Sequence, residues 1–584
     1  MDKRMIKTVF GMAAGFYWCA SMSNSGAYFE PYLLIGLAGF LSSQYFLLKS
    51  PFADRKENRI PAGILSAFLS AAILLANYSL FPVGGSGMYL LLCQLCSLAL
   101  AFYGGYYLFY QIFQMISRKM QEPMGQVKKT DSQIPEWTFL LFWGVLCGEY
   151  LLFLFLVFYP GLYVNDTLTQ ITQIFSGVYT NHHPFYHTQL IRLCLALGDK
   201  LFGSINAGVA VYSVLSVVFM SACFAYTVYS IHQLTGSKTA AIVTLVWYMV
   251  MPTHITYSFT VWKDTPFAGM VTLFVVSIYR LMKEVGKHRH ADRIICFLSC
   301  VGVCLMRSNG FIAMASSLVL LLLFFRKEKR MLAFLAAALC IGFVLKYPVL
   351  KGLNVKQPDP IESLSIPVQQ IGRTLAEEAD LDPEQRALLE QIVDVDQVKK
   401  QYLGWLSDPL KDLVRQRNNQ QYLVEHKLDY LKLYVSLGMQ HPGSYIRAWV
   451  DQTAGFWNSG SSYWQWYNAE TAPALTIKND FGITPVVHCN LIRELYLRVV
   501  PVFSSRLLRP ISSMGLYCWC LLFAMYGAWV RKDRKALFTG VLPTMIILTL
   551  LVAAPLSGEY RYFYGVVCAM PMVLVSCFFR KAET

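Results

Sequence analysis

A polar stretch between two apolar segments carries the side chains best suited to chemistry. The stretch from Tyr159 to His187 contains one carboxylate, several amides and three histidines. It follows an apolar run long enough to cross a bilayer. A positioned carboxylate can serve as a general base, and neutral imidazoles can bind a metal or move a proton. We therefore interpret this stretch as the floor of an active site and Asp166 as its candidate catalytic residue.

The residues that follow Asp166 have a helical pattern. Apolar positions recur at i, i+3 and i+7, as Leu168, Ile171 and Phe175. The pattern predicts an amphipathic helix that lies on the membrane and raises Asp166, Gln170 and Gln173 toward a polar cavity. The alternative is that Asn165 or Asp166 only caps this helix.

The histidine pair before Pro184 is the second candidate feature. His182 and His183 could hold a phosphate, a proton or a metal, because imidazole is a common ligand that titrates near neutral pH. The His-His-Pro spacing is not that of a recognised metal site, so a divalent metal cofactor is left open. The alternative is a pair of interfacial histidines satisfied by backbone groups and water.

Three cationic residues near the ends of other apolar runs are candidate phosphate ligands, since Lys and Arg pair well with phosphate oxygens. These residues are Lys263, Arg307 and Arg561. Asp264, Asn309 and Glu559 are further polar candidates for this binding site, next to the cations in the sequence. The alternative is purely structural pairing at the span ends, Lys263 with Asp264 and Arg561 with Glu559.

The composition indicates the setting of these residues. The chain has 584 residues, of which 55% are hydrophobic and 15% charged, whereas a soluble chain carries about 25% charged residues. Apolar runs of about 20 residues recur along it and match the length of a bilayer-spanning helix. The net charge of +15 is spread over short loops, as in the positive-inside pattern. This distribution favours a multi-pass membrane protein and excludes a nucleic-acid partner.

Orienting the apolar runs by their basic loops predicts an all-α polytopic membrane protein of about fourteen spans, with both termini cytoplasmic. Examples are the spans at about 206–231, 238–256 and 265–282. The candidate residues then share the outer face. Four regions are predicted: a four-span addition with a cytoplasmic linker (1–135), a transmembrane core with the outer loop 159–187 (136–348), a mostly helical extracytoplasmic domain (349–506), and a three-span segment (507–584). We expect residues Gln189 to Phe202 to form an interfacial helix.

The order of these motifs resembles the GT-C superfamily of membrane glycosyltransferases, including protein mannosyltransferase-like members and an uncharacterised bacterial branch. The architectural likeness covers about 136–579. It rests on short motifs: Tyr159-Pro160-Gly161 to Asp166, His183-Pro184, Trp262-Lys263-Asp264, Arg307-Ser308-Asn309-Gly310 and Glu559-Tyr560-Arg561-Tyr562. The Asp-Glu pair of some members is absent, because Thr167 follows Asp166. The Trp-Trp-Asp sequence of oligosaccharyltransferases is also absent from the predicted outer domain.

The resemblance implies a GT-C-like fold and the transfer of a sugar from a polyprenyl-phosphate-linked donor. The acceptor would be a glycan, a lipid or a protein at the outer face of the cell membrane. Asp166 would take the acceptor proton, and the cations would hold the departing lipid phosphate. A transporter or flippase, a glycan polymerase or ligase, and a partner-binding membrane protein are the alternatives. Charges at span ends and the lack of an obvious internal repeat favour an enzyme.

Overall fold

The structure is a computed structural model that describes residues 59–76, 110, 135–284, 289–324, 326, 329–377, 381–458, 479–503, 508–530 and 532–578. The apolar runs of the predicted region 1–135 indicate spans at about 8–24, 31–48, 60–81 and 88–115. Most of this region lies outside the described residues, including the first two spans and nearly all of the fourth. The span expected at 60–81 is a helix over Arg59–Ala76.

The described residues form helices, and a few isolated β-bridges pair residues of the connecting segments. Those of the first half are α1 (Arg59–Ala76), α2 (Trp137–Leu156), α3 (Asn165–Ser176), α4 (Phe185–Phe202), α5 (Ile205–Thr235), α6 (Lys238–Val250), α7 (Pro252–Ser258), α8 (Asp264–Lys283), α9 (Arg289–Met306), α10 (Ser308–Phe324) and α11 (Lys329–Val344). A π turn, Leu345–Val349, and one further turn, Leu350–Gly352, extend α11.

The second half begins with a 3-10 turn, Pro360–Leu364, and a group of short helices. The helices here are α12 (Ser365–Ala376), α13 (Pro383–Glu390), α14 (Val395–Gln401), α15 (Asp408–Arg417), α16 (Gln420–Glu425), α17 (Lys427–Gln440), α18 (Pro442–Trp457), α19 (Asn490–Phe503), α20 (Arg509–Ser512), α21 (Met514–Val530), α22 (Arg534–Thr539), α23 (Val541–Ala553) and α24 (Tyr560–Phe578).

Several of these helices are built to cross a membrane. Within the described residues, six segments have the length and apolar composition for it, counting α11 with its extension to Gly352 and α22 together with α23. The pair α6 and α7, bent by 64°, makes a seventh if it is one broken span. Two shorter apolar helices, α10 and most of α21, accompany them. The chain is therefore a helical membrane protein, and the total of about fourteen spans stays a prediction.

Helix α8 is the centre of the bundle, packed against α5, α9, α22 and α24. It is buried nearly throughout, which explains why small and apolar residues fill it. Its first residue, Asp264, is fully buried, and its last, Lys283, contacts Asp533 at a distance of 3.0 Å. The helix therefore links a polar end of the bundle, near Asp264, to a basic end, near Lys283.

Residues 189–202, predicted to form an interfacial helix, lie in α4, and its place at the membrane interface stays a prediction. It buries Ile191 and Cys194 and exposes Leu193 and Leu201, as an amphipathic helix at a membrane surface does. Helices α12 to α17 share a separate hydrophobic core over residues 361–445, of which Leu437 is a fully buried member. This core gives the predicted helical region 349–506 an interior of its own, although α18 and α19 also pack on the bundle core.

Candidate active site

Backbone pairing fixes the start of α3 beside the loop that leads into α8. The Leu162 N–H donates to the Phe259 carbonyl at 3.2 Å, and the Val261 N–H donates to the Leu162 carbonyl at 2.7 Å. The Thr167 hydroxyl also donates to the Val261 carbonyl. These bonds place Asp166, in the first turn of α3, next to Lys263, although 97 positions separate the two residues along the chain.

Asp166 contacts three other charged or polar residues of the site. Its Oδ2 atom accepts hydrogen bonds from Lys263 Nζ at 3.4 Å and from Arg561 at 3.0 Å. Lys263 Nζ also lies 3.1 Å from His183 Nδ1, which itself is 3.9 Å from Asp166 Oδ2. The side chains of Asp166, Lys263 and Arg561 keep 15–24% of their surface exposed, so a ligand can reach them.

The charges in this cluster change one another's protonation. Burial raises the pKa of Asp166, but Lys263, Arg561 and His183 outweigh it and hold that pKa well below its usual range. Burial, reinforced by Lys263, lowers the pKa of His183 to about 3. Burial also lowers the pKa of Lys263 to about 8, despite the attraction of Asp166. At neutral pH Asp166 is therefore a carboxylate and His183 is neutral, so its Nδ1 can accept a hydrogen bond from the Lys263 ammonium group.

A second group of charges lies at the junction of α9 and α10 and at the start of α24. Arg307 pairs with Asp264, and its Nε donates to Asn309 Oδ1 at 3.0 Å. The centre of the Tyr562 ring lies 4.4 Å from the guanidinium group of Arg307 and 5.2 Å from that of Arg561. Stacking of this kind holds cations in place while leaving their N–H groups to bind anions.

The acidic neighbours both contact cations, but only one of the two pairs expected under the structural alternative is present. Glu559 lies 3.6 Å from Arg561, which is the expected pair. Asp264 pairs with Arg307 and not with Lys263, whose carboxylate partner is Asp166. The Oδ2 atom of Asp264 is buried and has no hydrogen-bond partner among the described residues, so this carboxylate keeps one acceptor position.

The prediction for Gln170 is wrong. Gln170 is fully buried and donates to the Thr188 hydroxyl at 2.8 Å, while its amide contacts His187 Nδ1 at 3.0 Å. His187 Nε2 in turn lies 2.7 Å from the Tyr212 hydroxyl. Ile171 is also fully buried and does not face a membrane. Helices α4 and α5 cover this side of α3, so Gln170 supports the floor of the site and does not line it.

The two adjacent histidines have different surroundings. His183 is 4% exposed and belongs to the Asp166 cluster, whereas the His182 side chain is 47% exposed. His182 Nδ1 lies 3.8 Å from Glu362, a residue of the 3-10 turn before α12. His182 therefore links the loop before α4 to the 3-10 turn that precedes α12, and it lies at the edge of the site.

Sequence reasoning missed Lys346, which lies in the π turn after α11. Its buried Nζ atom donates to the carbonyls of Cys304 at 3.0 Å and Arg307 at 3.1 Å. A cation at this position caps the end of α9 and adds positive charge behind Arg307. The signal was a lysine within an apolar run just before Pro348, a place where such a residue is costly without a partner.

The donors of the site suit an anion better than a metal. Within the described residues, no three His, Cys, Asp or Glu side chains are grouped to hold a metal ion. The Oδ2 atom of Asp166 already accepts from two cations. Lys263, Arg307 and Arg561 offer N–H groups, which bind phosphate or carboxylate oxygens.

These features define a helical membrane protein with a buried carboxylate and several cations at one end of its bundle. Residues 175–584 match the family described as "Family of unknown function (DUF6020)". Because the match covers more than two thirds of the 584 residues, the chain belongs to that family. Comparison with curated proteins and with solved structures found no match. His183, Lys263, Arg307 and Arg561 lie in the matched range, and Asp166 precedes it.

Proposed function

We propose that the protein is a membrane glycosyltransferase that moves a sugar from a polyprenyl-phosphate-linked donor to an acceptor at the outer face of the membrane. The proposal depends chiefly on the contacts of Asp166 with Lys263 and with Arg561. These three residues come from distant parts of the chain. The cluster combines a base for the acceptor with cations for the leaving phosphate. The amphipathic helix α4 beside it suits a reaction at the membrane surface.

The reaction balances with these groups alone. The acceptor oxygen bonds to the anomeric carbon of the sugar, and its proton passes to Asp166. The bond between that carbon and the phosphate oxygen breaks, and its electron pair stays on the lipid phosphate. Lys263, Arg307 and Arg561 stabilise the charge that develops there. Asp264 and Glu559 orient Arg307 and Arg561.

The low pKa of Asp166 makes it a weak base while both cations bind it. A donor phosphate competes with Asp166 for Lys263 and Arg561, because phosphate oxygens are strong partners for both. Once the cations turn to the phosphate, the pKa of Asp166 rises toward its ordinary value. Donor binding therefore prepares the base, and the free enzyme keeps it inactive.

The experiment that tests the proposal uses purified protein in lipid bilayers and a panel of polyprenyl-phosphate sugars. Release of free polyprenyl phosphate is followed with membrane extract as the acceptor source, with and without a chelator. We expect release from at least one donor by the wild type and none by Asp166→Ala. Transfer from a soluble nucleotide sugar, or unchanged release by Asp166→Ala, would contradict the proposal.

One observation favours a transporter as the second candidate. Helices α6 and α7 are bent by 64° at Met251–Pro252, and broken helices are typical of substrate sites in transporters. The bend is filled by aromatic side chains, and the ring of His254 lies 5.3 Å from that of Tyr248. A vesicle assay separates the two functions: a transporter moves the lipid-linked sugar across the bilayer without releasing lipid phosphate.

A further inference from the structure

A cleft lies at the end of the bundle opposite the candidate active site. It is formed where the last turns of α10 and α21 meet the first turns of α22 and α23, and it encloses about 320 Å³. Its walls include Leu320, Phe324, Met525, Trp529 and Leu537. Arg534 is the one charged residue of the lining.

Exposed apolar side chains border the cleft. Phe324 is 55% exposed and Trp529 is 69% exposed, and both end apolar helices. An exposed tryptophan at a helix end is typical of the headgroup level of a membrane. The apolar walls therefore lie at the depth of the first methylene groups of a lipid chain, and not at the depth of a soluble ligand.

The rim of the cleft is basic. Arg534 is exposed, as are Arg326 after α10 and Lys532 before α22. The nearby carboxylate, Asp533, is already paired with Lys283 and also caps α22 through the Ala536 N–H. The rim thus carries an excess of positive charge at the headgroup level. Basic pockets between membrane helices attract anionic lipid headgroups.

We propose that this cleft binds one anionic phospholipid, with an acyl chain between α10 and α21 and its phosphate on Arg534. The charge of the rim selects the headgroup, and the apolar walls hold the chain. The volume is at the lower end of the range of ligand pockets, about 300–1,000 Å³, so it takes one chain segment and not a whole lipid. The site is separate from the candidate active site, because α10 and α21 run between the two ends of the bundle.

Native mass spectrometry of the full-length protein with equal amounts of phosphatidylglycerol and phosphatidylcholine tests the proposal. We expect the wild type to retain phosphatidylglycerol in preference to phosphatidylcholine. Arg534→Gln should retain about fivefold less phosphatidylglycerol, because one basic residue near an anionic lipid surface contributes about 1 kcal/mol to binding. Leu320→Trp fills the cleft and should reduce the retention of both lipids.

Lys238→Gln is the matched control, since Lys238 is exposed at the start of α6 and does not line the cleft. It should retain both lipids as the wild type does. Equal retention of the two lipids by the wild type, or equal losses in Arg534→Gln and Lys238→Gln, would overturn the proposal. If Leu320→Trp fails to fold, the comparison of the surface variants Arg534→Gln and Lys238→Gln still tests the proposal. A dimer of the wild type that excludes lipid from this face would also overturn it.

Discussion

The substitution Asp166→Asn should have opposite effects on turnover and on the binding of polyprenyl phosphate. It removes the charge that Lys263 and Arg561 contact at 3.4 and 3.0 Å while keeping the shape of the side chain. A hydrogen bond to a charged group contributes about 1.5–3 kcal/mol, and partial exposure reduces this figure. Without this competing charge, Lys263 and Arg561 should bind another anion more favourably, by about 1.5–3 kcal/mol of binding free energy.

This free energy corresponds to a roughly 10- to 100-fold tighter dissociation constant for a short polyprenyl phosphate. Turnover should fall by about 10²–10⁴, which is the usual contribution of a general base. Titration calorimetry in nanodiscs measures the binding, and release of lipid phosphate measures the turnover. Asp199→Asn, which changes an exposed carboxylate on α4, is the matched control and should alter neither. Unchanged or weaker binding in Asp166→Asn would refute the idea that Asp166 and the phosphate compete for the same cations.

Three further predictions concern protonation and packing. Lys263 has a pKa of about 8, so it is charged below that pH and neutral above it. The KM of the wild type for the donor should therefore rise by up to about tenfold per pH unit above pH 8. The KM of Lys263→Arg should not change over this range, because arginine keeps its charge. Gln170→Leu removes the amide that contacts the Thr188 hydroxyl and leaves His187 Nδ1 without this partner. A melting experiment should therefore show a loss of about 1–3 kcal/mol in the free energy of unfolding, and no loss would mean that this network is open to water. Gly161→Ala should prevent correct folding, because Gly161 has φ +133° and an added Cβ would lie 1.9 Å from Ser213 Oγ. Gly148→Ala is the control, since an added Cβ there has no atom within 4 Å. In size-exclusion chromatography the control should behave as the wild type, and Gly161→Ala should not.

The sequence predicted most helices well, for a physical reason. The bilayer sets the length of an apolar run, so the span predicted at 265–282 is the helix Asp264–Lys283, and that at 206–231 is Ile205–Thr235. The span predicted at 238–256 is broken, since Pro252 disfavours the helical conformation of Met251 before it. A proline at the centre of an apolar run was the available signal for this break.

Adjacent residues of the site were harder to separate from sequence. Lys263 precedes α8 and Asp264 begins it, so their side chains diverge and bind Asp166 and Arg307 respectively. His182 and His183 diverge in the same way, one toward Glu362 and the other toward Lys263. Grouping residues by the side of the membrane predicted which motifs would meet, but not which atoms.

The burial of Gln170 shows the limit of periodicity. The spacing of apolar residues in α3 predicted that Asp166 and Gln170 share a side, and both do point into the protein. Periodicity does not reveal which neighbouring helix covers that side. His187 on α4 lies against Gln170, whereas Asp166, one turn earlier, stays within reach of a ligand.

Cryo-electron microscopy of the protein with bound polyprenyl phosphate is the most direct test of the central claim. We predict phosphate density within hydrogen-bond distance of Lys263, Arg307 and Arg561, with Asp166 Oδ2 released from at least one of its two cations. Density for the phosphate elsewhere on the protein, with both contacts of Asp166 unchanged, would contradict the assignment of this cluster as the active site.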